Sequence, residues 1–434
     1  MDRIKLPNKR YGTLPEAGGI YEIAALADML EENGKKIYHL EIGRPDFDSP
    51  QIAKDAAKEA LDRGFVHYPD TRGILQLRQA LSRKLKRENR MEVSPDDVLI
   101  TIGAQTGIMA IMLTILDEGD EVIIPTPCFG PYAEDCRLLG GVVVPAPCAM
   151  EDGFTLKASN IEPLVTGRTK IIVVNSPNNP TGAVIPRFEL EKIAEIAKKH
   201  DLLVVSDECY ERFIYAGEHA SIASLPGMDD RTITVGTASK TYSMTGWRLG
   251  YMSLPSWLTN HVGRTHRGLA ICAASFAQYG YASALDNAEE DVIKMLNEYR
   301  ERRNIVTGYL ERMEDIDFAT PDGAFYIFPS IKRTGISSPE FCRYILEEAG
   351  VAIVPGEAFE APGFVRIAYC QPKEHLTEAM ELMRSALSKL KVKNRVLLPE
   401  KYESEEKNVL RSKAARGSNY QGHDEKVRHR NENN

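Results

Sequence analysis

Apolar, β-branched runs recur through the middle of the chain and predict the strands of a buried sheet. The runs are VLITI from Val98, EVIIP from Glu121, GVVVPAP from Gly141, KIIVVN from Lys170, LLVVSDE from Leu202 and TITVGT from Thr232. Helical patterns, in which apolar residues return every three or four positions, separate several of them, as in 106–116 and 188–200. Because the runs are apolar on both faces and alternate with helices, the pattern predicts an α/β fold with a mostly parallel, mixed sheet covered on both faces.

The pattern changes near residue 290 and predicts a second, smaller lobe. We expect a large domain over 45–290 and a small α+β domain over 291–392, built from long charged helices and a few short apolar strands. The N-terminal segment 1–44 is expected to pack with the small domain. Residues 393–434 are polar and charged, which predicts a disordered tail.

Composition and charge narrow the classes of partner. The net charge of -8 gives no basic face, which argues against a nucleic-acid partner. The seven cysteines are far apart, odd in number and without a C-x-x-C pair, so they suggest neither a zinc knuckle nor a disulfide framework, and a reducing cytoplasm fits best. We expect no metal site. No apolar run approaches the roughly 18 residues of a membrane helix, and the N-terminus has no apolar signal-peptide core.

Lys240 is the candidate nucleophile, because it follows directly on a predicted strand and precedes a polar, glycine-containing stretch. Ligands of parallel sheets gather beyond the carboxyl ends of the strands. Burial there disfavours the ammonium form and leaves a reactive amine that can form a Schiff base. Thr237 and Arg248 offer a hydroxyl and a guanidinium to a phosphate nearby. Taken alone, a lysine at a strand end is usually an exposed surface residue.

Two further charges are placed where a ligand could meet them. Asp207 ends the strand from Leu202 and would need a cation there, for which a protonated pyridine nitrogen would serve; a helix cap or a salt bridge is the structural alternative. Arg366 lies in the apolar run FVRIAY and needs an anion, either a substrate carboxylate or a neighbouring acidic side chain. Tyr210, three residues after Asp207, could donate to a ring oxygen or serve only in packing.

Three loops add weaker candidates. NSPNNPTG cannot be helical because of Pro177 and Pro180, so it predicts a rigid loop that could aim Asn179 at a ligand oxygen. The segment 103–105 precedes a helix, whose first backbone N–H groups suit a phosphate. Phe129 follows a strand and is either core or a stacking partner for a ring.

Taken together, these motifs resemble one family, the fold type I, class I and II aminotransferases that depend on pyridoxal 5'-phosphate. The resemblance spans about residues 40–370 in the family's order and spacing. It rests on the motifs HYPDTRGILQLRQAL, GAQTG, NSPNNPTG, SDECYE, SKTYSMTGWRLGY and FVRIAY.

The resemblance implies an enzyme that moves an amino group from an L-amino acid to a 2-oxo acid, 2-oxoglutarate or pyruvate, by a ping-pong mechanism. Lys240 would form the internal aldimine and shuttle the proton. Asp207 would pair with the pyridine nitrogen, Asn179 and Tyr210 would bond the phenolic oxygen, and Phe129 would stack on the ring. The phosphate would be held by Ala104, Gln105, Thr237, Ser239 and Arg248. The substrate carboxylate would meet Arg366, Asn179 and the backbone of Gly43.

The resemblance also implies a homodimer with shared active sites. Tyr68, in HYPDTRG, resembles the tyrosine that reaches the phosphate of the neighbouring subunit. Arg267 is a candidate for selecting dicarboxylates; a solvated or interface arginine is the alternative. The donor amino acid and the pathway, biosynthetic or catabolic, stay open.

Two other functions compete with this interpretation. The same fold hosts carbon-sulfur lyases, decarboxylases and cyclising synthases with a similar lysine, aspartate and phosphate clamp. A non-catalytic regulator that binds the cofactor or an amino acid would need a DNA-binding module, for which the chain leaves no room before GRPDF at Gly43.

Overall fold

The computed structural model describes residues 20–390. Residues up to Met383 belong to one compact unit, and of a second unit, Arg384–Asn434, the structure describes 384–390, which are helical. The predicted tail at 393–434 and the first part of the segment 1–44 lie outside the described residues. The division at residue 290 stays a prediction.

Strands and α-helices alternate from β2 to β8, except that β6 and β7 are joined by a connection without an α-helix. The strands are β1 Tyr38–His39, β2 Val98–Thr101, β3 Glu121–Thr126, β4 Val142–Pro147, β5 Thr169–Asn175, β6 Leu203–Asp207, β7 Thr232–Thr237, β8 Gly250–Ser253, β9 Tyr326–Ile327, β10 Val351–Ala352, β11 Val354–Pro355 and β12 Val365–Ala368. The helices are α1 Ile20–Glu32, α2 Gln51–Asp62, α3 Leu75–Asn89, α4 Ala104–Ile115, α5 Pro131–Leu138, α6 Ala158–Ile161, α7 Arg187–Lys199, α8 Ala238–Thr241, α9 Ser256–Ala270, α10 Ser275–Asn287, α11 Glu289–Leu310, α12 Ser338–Ala349 and α13, 373–390.

The main sheet has seven strands in the order β2-β8-β7-β6-β5-β3-β4. All neighbours from β7 to β4 are parallel, whereas β8 runs antiparallel to both β2 and β7. The prediction of a mostly parallel, mixed sheet is therefore confirmed. The six runs seen in the sequence are all strands, and β8 is the strand that the sequence analysis did not predict.

Consecutive apolar residues of one strand enter different cores, which explains why these runs do not alternate with polar residues. Ile172 and Val174 of β5 pack with α7, while Ile171 and Val173 pack on the opposite face with α4 and α5. All four side chains are at most 1% exposed. Helices on both faces thus bury the central strands, whereas the edge strand β4 is partly exposed, and the ends of the central strands remain for polar chemistry.

Two small sheets are formed by short strands before and after the main sheet. Strand β1 pairs in parallel with β10, and β12 lies between β11 and β9 in antiparallel pairing. The second sheet brings Tyr326 and Arg366, on neighbouring strands β9 and β12, into the pocket described below. Within residues 20–390, no helix is long and apolar enough to cross a membrane.

Candidate active site

A cavity of about 370 Å³ lies at the carboxyl ends of β5, β6 and β7. Parallel strands place the residues that follow them at one edge of the sheet, and this edge is where ligands of such folds bind. The predicted site residues that line the cavity are Gly43, Ala104, Gln105, Phe129, Asn179, Asp207, Tyr210, Thr237, Ser239, Lys240, Arg248 and Arg366. The fold therefore brings residues more than 300 positions apart in sequence into one pocket.

Lys240 lies on α8, a single helical turn that follows β7 directly. Thr237 caps this turn, since its Oγ1 accepts the backbone N–H of Ser239 at 3.1 Å. The Lys240 Nζ donates to the backbone oxygen of Gly43 at 2.8 Å. Burial lowers the pKa of the Lys240 ammonium, because a charged amine loses hydration in this position. The amine is thus held in the pocket in a form that favours nucleophilic and basic chemistry.

Asp207 is buried at the end of β6 with both oxygens in hydrogen bonds. The Tyr132 hydroxyl donates to Oδ2 at 2.6 Å, and the backbone N–H of Cys209 donates to Oδ1 at 3.0 Å. Burial raises the pKa of the Asp207 carboxyl, while both hydrogen bonds act in the opposite direction by stabilising the anion. Within residues 20–390 the carboxylate has no ion-pair partner. A buried anion prepared in this way suits a cationic group of a ligand.

The start of α4 and Arg248 form the other end of the pocket. Gly103, which precedes α4, has φ +105°, and a Cβ at this position would come within 2.6 Å of a terminal nitrogen of Arg248. The guanidinium donates to the backbone oxygens of Thr245 at 2.9 Å and Ile102 at 3.3 Å. The first N–H groups of a helix have no acceptor within the helix, so this end offers donors and positive charge to an anion.

Arg366, on β12, is 5% exposed and is held by neutral acceptors. Its guanidinium donates to Asn179 Oδ1 at 3.1 Å and to the backbone oxygen of Glu41 at 2.6 Å. Its Nε has no partner among the described residues. The structure therefore does not show the acidic partner that was the alternative interpretation of Arg366. Its guanidinium presents a positive charge and unused N–H donors to the pocket.

The NSPNNPTG loop is non-helical, as predicted, and is fixed by its own amides. Asn175 Oδ1 accepts the backbone N–H of Asn179 at 3.0 Å, and the Asn175 amide donates to the backbone oxygen of Asp207 at 3.1 Å. The loop is buried over 175–182. Asn179 is consequently held at a fixed distance from both Arg366 and the strand that carries Asp207.

Two tyrosines that the sequence analysis did not select also line the pocket. Tyr132 bonds to Asp207, and Tyr326 has its hydroxyl 2.9 Å from that of Tyr210. Tyr132 lies near the start of α5, three residues after Phe129, and carries no charge that would mark it in the sequence. Tyr326 is a tyrosine in the otherwise apolar run GAFYIFP, which could equally be core.

Tyr68 and Arg267 are not among the residues that line the pocket. Tyr68 is 81% exposed, and Arg267 is exposed on α9. Phe65, close to Tyr68 in the chain, stacks on Tyr279 with ring centroids 4.7 Å apart. The segment 61–70 around Tyr68 is largely exposed, and in a single chain neither Tyr68 nor Arg267 contributes to the pocket.

Outside the pocket, one group of side chains in the described part of the chain has the composition of a metal site. Glu208, Glu211 and His219 bring potential ligand atoms within 4.8 Å of one another. The ammonium of Lys84 already pairs with Glu211 and donates to Asn89 at 2.8 Å. Lys84 thus supplies positive charge to this group of side chains.

Comparison with known proteins gives consistent matches over most of the chain. Residues 35–382 match the family model described as aminotransferase class I and II. An aromatic-amino-acid aminotransferase 2 of Thermococcus litoralis is 44% identical over 377 residues, covering 86% of this chain and 96% of that protein. An aspartate aminotransferase of Pyrococcus abyssi is 44% identical over 364 residues, covering 82% and 93%.

Solved structures agree with these matches. The aromatic aminotransferase of Pyrococcus horikoshii superposes with a TM-score of 0.80 at 43% identity, covering 84% of this chain and 99% of the other. The aspartate aminotransferase of Thermus thermophilus with maleate gives a TM-score of 0.84 at 35% identity, covering 88% and 100%.

Proposed function

Since this chain belongs to the class I and II aminotransferases, a family of pyridoxal-phosphate-dependent transaminases with fold type I, we propose that its pocket transfers the amino group of an L-amino acid to 2-oxoglutarate or pyruvate in two half-reactions. The observation that carries the site assignment is the convergence of three charged groups of different kinds. Lys240 on α8, Asp207 on β6 and Arg366 on β12 line one cavity without pairing with one another.

The residues present fit the cofactor in three respects. Asp207 is a buried anion without a cation among the described residues, as a protonated pyridine nitrogen requires. The space left by Gly103 lies against Arg248 and the first N–H groups of α4, where a phosphate would find donors. Thr237 and Ser239 add hydroxyls whose oxygens are 3.0 Å apart. The pocket thus has one end that can bind the phosphate anion and another that can bind the cationic pyridine nitrogen.

In this proposal Lys240 would hold the cofactor covalently and would afterwards move a proton at the substrate Cα. Its lowered pKa supports both roles, because the neutral amine is the nucleophile and the base. Bound pyridoxal phosphate supplies an electron sink for the charge that develops at that carbon. Asp207 would accept the hydrogen bond of the protonated pyridine nitrogen, which requires that the carboxylate stay ionised. The hydrogen bonds from Tyr132 and Cys209 favour that form.

The remaining lining residues orient the two ligands. Phe129 would stack on the cofactor ring, and Tyr210 and Asn179 would donate to its phenolic oxygen. Its phosphate would be held by Ala104, Gln105, Thr237, Ser239 and Arg248. Arg366 grips the substrate α-carboxylate through its unused N–H groups, with Asn179 and the backbone of Gly43 beside it.

We propose that the donor is aspartate or an aromatic amino acid, since relatives of equal identity are named for each. A panel of single amino acids with 2-oxoglutarate and with pyruvate tests this by detection of the 2-oxo acid formed from the donor. Product that requires an acceptor supports transamination. Pyruvate and ammonia released from cysteine-type donors without any acceptor would instead identify a carbon-sulfur lyase.

Arg267 is proposed to select dicarboxylates when presented to a neighbouring subunit. Arg264 lies on the same helix, is also exposed and serves as a matched control. Arg267→Gln should raise KM for aspartate about tenfold or more and leave that for phenylalanine unchanged, because one charge-assisted hydrogen bond is lost. Equal effects of Arg264→Gln and Arg267→Gln would contradict selective binding by Arg267.

The active site is proposed to be shared within a homodimer. Tyr68 is exposed, and so is the apolar side chain of Val66 two residues before it, which leaves this segment free to reach the phosphate of the other subunit. Mixing inactive Lys240→Ala with Tyr68→Ala tests this, since a hybrid would hold one site with both residues. Activity above that of Tyr68→Ala alone supports sharing, and no gain contradicts it.

A cytoplasmic enzyme of amino-acid biosynthesis is the setting we propose. All seven cysteines are free, and six are buried, which suits a reducing compartment. Measurement of the protein in fractionated cells tests the location, and the amino-acid requirement of a deletion strain tests the pathway.

A further inference from the structure

Tyr326 contacts residues from both functional ends of the pocket. It lies on β9, is 1% exposed and faces the cavity that Lys240 also lines. Its hydroxyl bonds to Tyr210, and its ring packs on Arg366. Tyr210 and Arg366 are the residues assigned above to the cofactor and to the substrate, so one side chain connects both assignments.

The hydroxyl contact leaves one proton available for a ligand. The Tyr326 and Tyr210 oxygens are 2.9 Å apart. Burial raises the pKa of Tyr326 to about 12 and that of Tyr210 well above its usual range, so both groups keep their protons at neutral pH. If Tyr326 donates, the proton of Tyr210 is directed to a third acceptor. A donor that itself accepts a hydrogen bond is also the stronger donor.

The ring contact fixes the guanidinium plane. The Arg366 guanidinium carbon lies 4.6 Å from the ring centroid of Tyr326 and 4.8 Å from that of Phe359. The guanidinium is therefore held between two rings, and only its edge is available to a carboxylate. A Cβ on Gly43 would come within 1.9 Å of the Tyr326 hydroxyl, so glycine at this position is what lets Tyr326 reach across the pocket.

We infer that Tyr326 is a positioning residue with two separable roles: its hydroxyl directs the Tyr210 proton to the cofactor's phenolic oxygen, and its ring orients Arg366 for the substrate carboxylate. This inference rests on the proposed function, from which the roles of Tyr210 and Arg366 are taken. Because a single side chain serves both ligands, its hydroxyl and its ring should affect different measurable quantities.

Two variants separate the roles. Tyr326→Phe removes the hydroxyl and keeps the ring; the midpoint of the pH titration of the bound cofactor's absorption should rise by about half a unit, because the donor to the charged oxygen is weaker. Its KM for the amino acid should change less than about threefold. Tyr326→Leu also removes the ring and should raise KM about thirtyfold, the size expected for a desolvated cation–π contact.

Tyr251→Phe is the control for loss of a buried tyrosine hydroxyl. Tyr251 is also fully buried but lies on β8 outside the pocket, and its hydroxyl has no hydrogen-bond partner in the described structure. This variant should titrate like the wild type. The absorption titration is independent of turnover, so it reports on the cofactor's surroundings even if a variant is slow.

The outcomes distinguish this inference from the proposed function. A wild-type protein that shows no cofactor band contradicts the proposed function and this inference with it. A wild-type band together with an unshifted or lowered midpoint in Tyr326→Phe contradicts the role of the hydroxyl alone. A folded Tyr326→Leu variant with wild-type KM contradicts the role of the ring, and an equal shift in Tyr251→Phe shows a nonspecific effect and overturns the assignment.

Discussion

Replacing Arg366 by lysine tests how the substrate carboxylate is bound. The substitution keeps a positive charge but removes the planar fork that can give two parallel hydrogen bonds. In the structure two of the guanidinium's contacts go to Asn179 and the Glu41 backbone, and Nε has no partner within the described residues. A lysine ammonium at this depth reaches fewer of these positions, so at least one bond to the carboxylate should be lost.

The magnitude follows from the charge on both partners. A hydrogen bond to a charged group contributes about 1.5–3 kcal/mol, so the loss of one lowers kcat/KM roughly 10- to 150-fold. The position is buried and bounded by Tyr326 and Phe359, which excludes water as a full replacement. Cofactor affinity should stay within about threefold of the wild type, because Arg366 does not contact the proposed phosphate end.

The assay pairs each enzyme with an amino acid and with the amine that lacks its α-carboxylate, such as phenylalanine with phenylethylamine. The wild type should prefer the amino acid, and Arg366→Lys should lose most of this preference while the amine reacts at a similar rate in both. Arg302→Lys is the matched control. Arg302 is also buried, but it pairs with Asp46 at 2.7 and 3.0 Å outside the pocket.

Refutation would come from an unchanged preference. If Arg366→Lys slows the amino acid and the amine equally, the arginine stabilises the fold of the pocket and does not bind the carboxylate. If Arg302→Lys loses the preference as strongly, the effect follows from the loss of any buried arginine.

Three further substitutions probe the rest of the account. Tyr132→Phe removes the 2.6 Å hydrogen bond to Asp207, so the pKa of that carboxyl rises further and the acid limb of the pH–rate profile should move to higher pH by about one pH unit. If the acid limb does not move, Asp207 does not depend on this hydrogen-bond donor. Gly103→Ala places a methyl group 2.6 Å from Arg248 at φ +105°, and should weaken binding of pyridoxal phosphate at least about tenfold in an equilibrium titration while leaving that of pyridoxal unchanged. Burial, and to a lesser degree Glu134, raises the pKa of Asp135 to about 7, so the folded state keeps a proton that the unfolded state releases, and the free energy of unfolding falls as pH rises from about 4 to about 7. In denaturant unfolding, the stability of Asp135→Asn relative to the wild type should therefore increase by about 2–3 kcal/mol between about pH 5 and pH 8. A difference between the two proteins that does not change with pH would contradict this.

Local pattern was enough to predict the central strands, because a strand buried on both faces is a continuous apolar run whatever its neighbours are. Ile171–Val174 illustrate this, since each of the four is buried between helices. Strand β8 was missed because its residues, Gly250–Ser253, follow the motif around Lys240 and look like its continuation. Its pairing with β2, some 150 residues earlier, is set by tertiary contacts.

The same distinction holds for the site. Lys240, Asp207 and Arg366 could be selected because a charge at the end of, or within, an apolar strand needs a ligand or a partner. Tyr132 and Tyr326 carry no charge and occur in runs that could be core, so only the fold reveals their contacts with Asp207 and Tyr210. The one-turn helix that carries Lys240 was also beyond the pattern, because four residues are too few to show a period.

The central claim is that Lys240 carries the cofactor and that the pocket exchanges amino groups, and an absorption scan of the purified protein with pyridoxal phosphate tests it most directly. The wild type should show the near-visible band of a lysine-bound cofactor, a single amino acid should bleach it, and a 2-oxo acid should restore it. Lys240→Ala should bind the cofactor without forming that band. A wild type without the band, or a Lys240→Ala variant with the same band and the same response, would contradict the account.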